Sequence, residues 1–287
     1  MKIDKEVYVL YDEYCHGGMD RREFFKRAGQ VSVAGLVMAQ ALIPNYVKAQ
    51  MISFTDERIK ANYVTYKSPG GNAPEMRGYL VQPKGNGPFP AVIVVHENRG
   101  LNPYIEDVAR RLATEGYLAF APDALSAVGG YPGNDDDGKV MQAKLDQDKI
   151  YIDMKNAAIF LKTHPLSNGK LGVTGFCFGG AVSNYLAVEL GADLKASVPF
   201  YGRAPKSEDV SKIKCKMLIQ YAEDDERVNA MKDEYQKALT QNKIQFEMFI
   251  YPGTKHGFHN NSTPRYNNDA AELAWKRTLD TFKKSLI

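Results

Sequence analysis

The spacing of apolar positions switches repeatedly between strand and helix periods from about Thr55 onward. VTYKS (Val64–Ser68) and MRGYLVQP (Met76–Pro83) predict an early strand pair, joined through the Gly-Asn-Pro turn region between them. PAVIVVHE (Pro90–Glu97) is a continuous β-branched run, the pattern of a strand covered on both faces. IEDVARRLATEG (Ile105–Gly116) places Val108, Ala109 and Leu112 on one helical face, with Gly116 as a stop signal. YLAFAPD (Tyr117–Asp123) predicts the next strand, Lys149–Thr163 a helix, and KLGVTGF (Lys170–Phe176) a strand that runs into the helix of GGAVSNYLAVEL (Gly179–Leu190). ASVPFYG, KMLIQYAEDD and QFEMFIYPG predict further strands, and Ala270–Leu286 a terminal helix with Leu273, Trp275 and Leu279 available for packing.

This alternation implies an α/β fold: a mostly parallel central sheet with right-handed crossovers and helices on both faces. In such sheets functional groups gather at the carboxyl ends of the strands, and the chemistry-bearing residues of this chain fall there. The length of 287 residues suits one large α/β domain, 55–287, with a small extra segment. The net charge of +3 is nearly balanced and no dense basic cluster occurs, which argues against a nucleic-acid partner. Cys15, Cys177 and Cys215 are too few and scattered for a disulfide framework and lack metal-ligand spacing, so neither metal nor cofactor is expected.

The segment 1–50 reads in two ways. Arg21-Arg22 before Phe24-Phe25-Lys26, the weakly apolar Val31–Ile43 and the small-residue site Val47-Lys48-Ala49 resemble a twin-arginine export leader, which implies a periplasmic chain starting near Gln50. Val31–Ile43 is too short for a comfortable membrane span. The alternative is a retained helical pair that packs Val31, Ala34, Leu36, Val37 and Leu42 on the main domain of a cytoplasmic protein; Asp20 and the acidic Asp4, Glu6, Asp12 and Glu13 favour it.

LGVTGFCFGG (Leu171–Gly180) carries the sharpest chemistry. A strand followed by G-x-C-x-G has the form of a nucleophile elbow, with Cys177 where serine is usual. Gly175 and Gly179 allow a sharp strand-to-helix turn, and a helix N-terminus favours a thiolate. A buried structural cysteine in a glycine-rich turn remains the plain alternative. Downstream, one strand ends in Glu223-Asp224-Asp225-Glu226-Arg227 and another is followed by Lys255-His256-Gly257-Phe258. Nucleophile, acid, histidine is the chain order of α/β-hydrolases, and His259 is the rival histidine.

Together, VIVVHENRGLNPYIEDVARRLA, APD, GFCFGG, YAEDDERVN and YPGTKHGFHNNSTPRY resemble the dienelactone hydrolase family over about Thr55–Ile287. The resemblance implies an α/β-hydrolase that cleaves small esters or lactones through an acyl-enzyme. It implies Cys177 as nucleophile, His256 as base and Asp225, three residues after Ala222, as the orienting acid. Glu97, at the end of an earlier strand, would hold the resting thiol and take its proton once substrate arrives. The oxyanion donors would be the N–H of Phe178 and one from the following loop, at Asn98. The arginines that bind a carboxylate in the best-known members are missing: their positions fall on Ala127 and near Asn260, leaving Arg99, Arg203 and Arg265 as substitutes. The insert Ser126–Lys139, rich in glycine and acid, reads as a flexible lid that restricts access or as a solvated loop. A general carboxylesterase and an oxidant sensor built on Cys177 are the other functions open to this sequence.

Overall fold

The computed structural model describes residues 4–16, 19–32, 34–43 and 45–287, and of residues 12, 15, 16, 47 and 48 only the backbone. The side chain of Cys15 and most of the Val47-Lys48-Ala49 site therefore lie outside the described residues.

The chain opens with four helices, α1 (Lys5–His16), α2 (Arg21–Val31), α3 (Gly35–Ala41) and α4 (Tyr46–Ala49). Then come β1 (Ile59–Lys67), β2 (Glu75–Pro83), β3 (Phe89–Val95), α5 (Pro103–Thr114) and β4 (Leu118–Asp123). Next are α6 (Asp135–Lys144), α7 (Gln147–Lys162), β5 (Ser167–Phe176), α8 (Phe178–Leu190), β6 (Leu194–Phe200) and β7 (Lys216–Asp224). The remainder is α9 (Glu226–Asn229), α10 (Lys232–Gln241), β8 (Phe246–Lys255) and α11 (Asn268–Leu286).

The strands form one eight-stranded sheet in the order β1-β2-β4-β3-β5-β6-β7-β8. β2 pairs antiparallel with β1 and β4, and every other pairing is parallel. β3 shows why the sheet is covered on both sides. Ala91, Ile93 and Val95 point into a core shared with α7, α8 and α10, while Val92 and Val94 point into one shared with α5 and α11. The chain moves outward from β3 to β4, then returns to lay β5 on the other side of β3. The carboxyl ends of β3 and β5 therefore flank the switch point, where an open α/β sheet leaves a crevice.

Two predicted elements need correction. Ser126–Lys139 is in large part helical rather than an irregular loop: a short 3₁₀ turn, Ala124–Val128, precedes α6, which Asn134 caps by accepting the Asp137 N–H. In α11 the buried face is Ala274, Thr278 and Phe282, whereas Leu273 is exposed.

The N-terminal helices pack on one another first. Val7, Tyr11, Tyr14, Met19, Phe24, Ala28, Ala39 and Leu42 form a small core of their own, and each large apolar side chain buried in it contributes roughly 1.5–3 kcal/mol. Leu42 belongs to that core, while Ala34, Leu36 and Val37 are exposed, so the predicted packing of these residues on the main domain does not occur. Asp20 caps α2 by accepting the Glu23 N–H at 2.8 Å, which puts Arg21 and Arg22 in the first turn of a helix. Residues 45–52 are tied to the main domain: the Asn45 N–H donates to the Ser262 carbonyl (2.7 Å), Asn261 Nδ2 to the Ala49 carbonyl (2.7 Å), and the Met51 and Ile52 N–H groups to Asp107 Oδ1. Among the described residues no helix is long and apolar enough to cross a membrane.

Candidate active site

The site is built around a backbone turn. Cys177 has φ 56° and ψ −111°, a conformation costly for a residue with a Cβ. Its N–H donates to the Phe200 carbonyl at 3.1 Å, so β6 helps hold the strained residue. A Cβ on Gly175 would lie 2.2 Å from the Gly179 carbonyl oxygen, and one on Gly179 would lie 2.2 Å from that of Val95. The two glycines thus let α8 start against the end of β3 and bring the 96–100 loop beside the thiol.

Cys177 is part-buried, and its thiol is pushed up to about 12, first by burial and then by the charge of Glu97. Arg227, the Phe178 N–H and Arg99 pull the other way. The Phe178 N–H thus faces the sulfur. Asn98 sits half-buried in the turn after Glu97.

His256 follows β8 and is buried, with its Nδ1 2.6 Å from Asp225 Oδ2. Asp225 is fixed from its own side, where it caps α9 and takes the Val228 N–H at 3.4 Å. Asp224 points to solvent and pairs with Lys255, so the structure brings Asp225, not its neighbour, to the histidine. The rival His259 lies in the core between the Phe176 and Phe200 rings, where Tyr104 Oη meets its Nδ1 at 2.7 Å.

Glu97 is buried at the end of β3, and Asn260 Nδ2 donates to its Oε2 at 3.1 Å. Burial, the main cause, raises its carboxyl pKa with help from Asp135, against Arg99, Arg265 and Asn260. His96 sets the backbone of this loop: Nδ1 donates to the Glu97 carbonyl at 2.5 Å, and Nε2 accepts the Ala124 N–H at 3.1 Å.

The three substitute arginines separate. Arg99 is buried against Asp135 at 3.2 Å, and Asp135 also accepts the hydroxyls of Tyr46 (2.7 Å) and Tyr131 (2.9 Å). Arg265 lines a cleft beside His256, with its guanidinium 4.9 Å from the Tyr11 ring centre. Arg203 is exposed and lends its carbonyl to Asn184, so the structure does not gather it into this group. Ala127 packs against the core below α7 and α8.

Sequence reading missed Arg227, which lines the same cleft and acts on the Cys177 thiol. Its place two residues after Asp225 carries no spacing signal. Tyr201 was missed too. It has φ 37°, its ring lies 4.8 Å from that of His256, and its buried hydroxyl has no hydrogen-bond partner among the described residues.

A family model described as "Dienelactone hydrolase family" matches residues 76–286. The chain belongs to the dienelactone hydrolase family. It is 32% identical over 249 residues to a provisionally named carboxymethylenebutenolidase of Synechocystis, an alignment covering 79% of this chain and 98% of that one. A provisionally named hydrolase fragment of Escherichia coli is 59% identical over 115 residues, which is 40% of this chain and 97% of the fragment. A crystal structure provisionally titled dienelactone hydrolase, from Klebsiella pneumoniae, matches with TM-score 0.66 and 28% identity, over 78% of this chain and 99% of that one. Family membership makes the protein a hydrolase acting on esters, with the α/β-hydrolase fold of its relatives. A separate model, "YqhI-like", matches residues 1–34, so α1 and α2 have a sequence signature of their own.

The core placement of His259 has a measurable consequence. Burial pushes its imidazole down to about 3, so the folded protein holds it neutral while the unfolded chain protonates it near its ordinary value. This contribution to stability is present above about pH 6.5 and is lost progressively as pH falls toward 3. Urea titrations at pH 7 and pH 4.5 should show wild-type protein losing roughly 2–3 kcal/mol more than His259→Gln over that interval. Equal losses would mean that His259 does not titrate on unfolding.

Proposed function

We propose that the protein hydrolyses small esters or lactones through a Cys177–His256–Asp225 triad and an acyl-enzyme. The observation that carries the reading is the buried 2.6 Å contact between His256 and Asp225, at the strand ends beside the strained Cys177 turn. Asp225 fixes the tautomer with the proton on Nδ1 and leaves Nε2 for proton transfer.

At rest the thiol is protonated, because burial and the Glu97 charge both oppose a thiolate. Substrate entering the site displaces Glu97, whose raised affinity for a proton suits it to take the one on sulfur. The thiolate adds to the ester carbonyl, and the Phe178 N–H, joined by one from the turn at Asn98, holds the oxyanion. Glu97 passes the sulfur's proton to His256 Nε2, and as the tetrahedral species collapses the alkoxide leaves with that proton from the imidazolium. Neutral His256 then takes a proton from water, and the hydroxide attacks the thioester and releases the acid and the thiolate. The His256 imidazolium returns its proton to sulfur, Glu97 resumes its place as a carboxylate, and the product acid gives a proton to solvent.

A thiol raised to about 12 is the opposite of the low-pKa, exposed thiol of an oxidant sensor, which favours the hydrolytic role. Arginine is missing at Ala127 and Asn260, while Arg227 and Arg265 line the cleft beside His256, so the proposed range of small esters and lactones takes in both neutral and anionic ones.

Cys177→Ala should abolish turnover of p-nitrophenyl acetate while its circular dichroism stays that of the wild type; retained turnover rejects the nucleophile. Asp225→Asn should lower kcat by ~10⁴, the cost seen for the orienting acid of a related triad, and Asp224→Asn should stay within a few-fold of wild type. Equal losses would reject the assignment of the acid. Glu97→Gln removes the charge that raises the thiol. Each pKa unit lost is tenfold in thiolate, so iodoacetamide should label Cys177 about tenfold faster at pH 8 while ester turnover falls. Unchanged labelling would show that Glu97 does not restrain the sulfur.

A further inference from the structure

A cleft of about 620 Å³ opens beside His256, within the range of small-molecule sites. Asp225, Arg227, Lys255 and His256 line it from the hydrolase unit, and Tyr8 and Val9 of α1 line it from the opposite side. Helical spacing explains the division of labour on α1. Val7, Tyr11 and Tyr14 recur at intervals of four and three and are buried in the N-terminal core. Lys5, Tyr8, Val9 and Glu13 form the other stripe, and all of them face the cleft. Val9 is 51% exposed, an apolar side chain that the N-terminal core does not use.

Several contacts hold α1 there. Tyr8 Oη donates to the Pro264 carbonyl at 3.4 Å, and the Lys255 ammonium stands 5.3 Å from the Tyr8 ring centre. The Arg265 guanidinium lies over the Tyr11 ring and fills the space where a Cβ on Gly257, the residue after His256, would meet it at 3.3 Å. Lys139 of α6 donates to the Tyr14 carbonyl, and Arg21 pairs with Asp136 at 2.9 Å. The N-terminal unit is thus fastened both to the loop after the histidine and to α6.

We propose that α1 is the outer wall of the approach to the triad from its His256–Asp225 side, and that Tyr8 and Val9 set the size of ester that enters there. The inference rests on the acyl-transfer reading given above. The side chains that line this wall belong to a segment outside the hydrolase unit, so size selection is separable from the chemistry. Removing the Tyr8 ring widens the cleft, and enlarging Val9 narrows it.

The test compares p-nitrophenyl acetate with p-nitrophenyl cyclohexanecarboxylate, which share a leaving group and differ in acyl bulk, using the full-length chain. Tyr8→Ala should raise the bulky-to-small ratio of kcat/KM roughly tenfold, and Val9→Trp should lower it roughly tenfold, both modest for a pocket that discriminates by size. Thermal unfolding of both variants checks that they remain folded, and the opposite signs separate a wall from general damage. Ratios within about twofold of wild type in both variants, with turnover still abolished by Cys177→Ala, would overturn the wall and leave the acyl-transfer reading standing. Turnover surviving in Cys177→Ala would overturn both.

Discussion

The arrangement of the site depends on one backbone constraint, the left-handed turn at Cys177 that joins β5 to α8. A conformation of this kind costs of order 1–3 kcal/mol and persists only where its surroundings over-determine it. Here the surroundings are specific. The Cys177 N–H is held by the Phe200 carbonyl, and Gly175 and Gly179 remove the side chains that would collide with the helix start and with the end of β3. Because α8 begins so close to β3, the loop carrying Glu97 comes near enough for its charge to act on the sulfur. The spatial relation between the thiol and the carboxylate thus follows from where two glycines stand in the sequence.

Electrostatics around the turn oppose ionisation of the resting sulfur. Burial and Glu97 raise the thiol, while Arg227, the Phe178 N–H and Arg99 are weaker counterweights. Glu97 is itself held between Asn260 and the charges of Arg99, Arg265 and Asp135. A substrate that disturbs the carboxylate changes both balances together, which fits a nucleophile activated on binding. The neighbouring histidines hold the frame: His96 fixes the Glu97 loop through both ring nitrogens, and His259 fills the core with Tyr104.

The N-terminal helices extend this logic beyond the hydrolase unit. They have a core of their own, and they contact the larger unit through α6, the 264–265 loop and the cleft beside His256. Asp135 links several parts at one point, accepting Tyr46 of α4 and Tyr131 and pairing with the buried Arg99. Such a buried pair is expensive to break by removing one partner, because the charge left behind stays in a dry site. Arg99 is therefore committed to structure near Glu97, and the guanidinium groups that the fold brings to the cleft beside His256 are those of Arg227 and Arg265.

Local signals determined much of this protein. The β-branched run of β3, the helical stripe of Val108, Ala109 and Leu112, and the glycines on either side of Cys177 specified the alternating fold and the elbow, because each acts over a few residues of backbone. The resemblance to the dienelactone hydrolase family pointed to Asp225, and its Oδ2 lies 2.6 Å from His256 Nδ1. Ser126–Lys139 was misread because its aspartates look solvated, whereas Asp135 is buried by partners from α4 and the 97–102 loop. Arg227, Tyr201 and Asn260 gave no local signal, since their roles come from residues far away in the chain. The burial of His259 and the exposure of Leu36 and Val37 were likewise set only when separate segments met. Periodicity and turn chemistry are properties of neighbours along the chain. Partnership across a cleft depends on which strand ends the sheet order brings together, and the tertiary structure alone decides that.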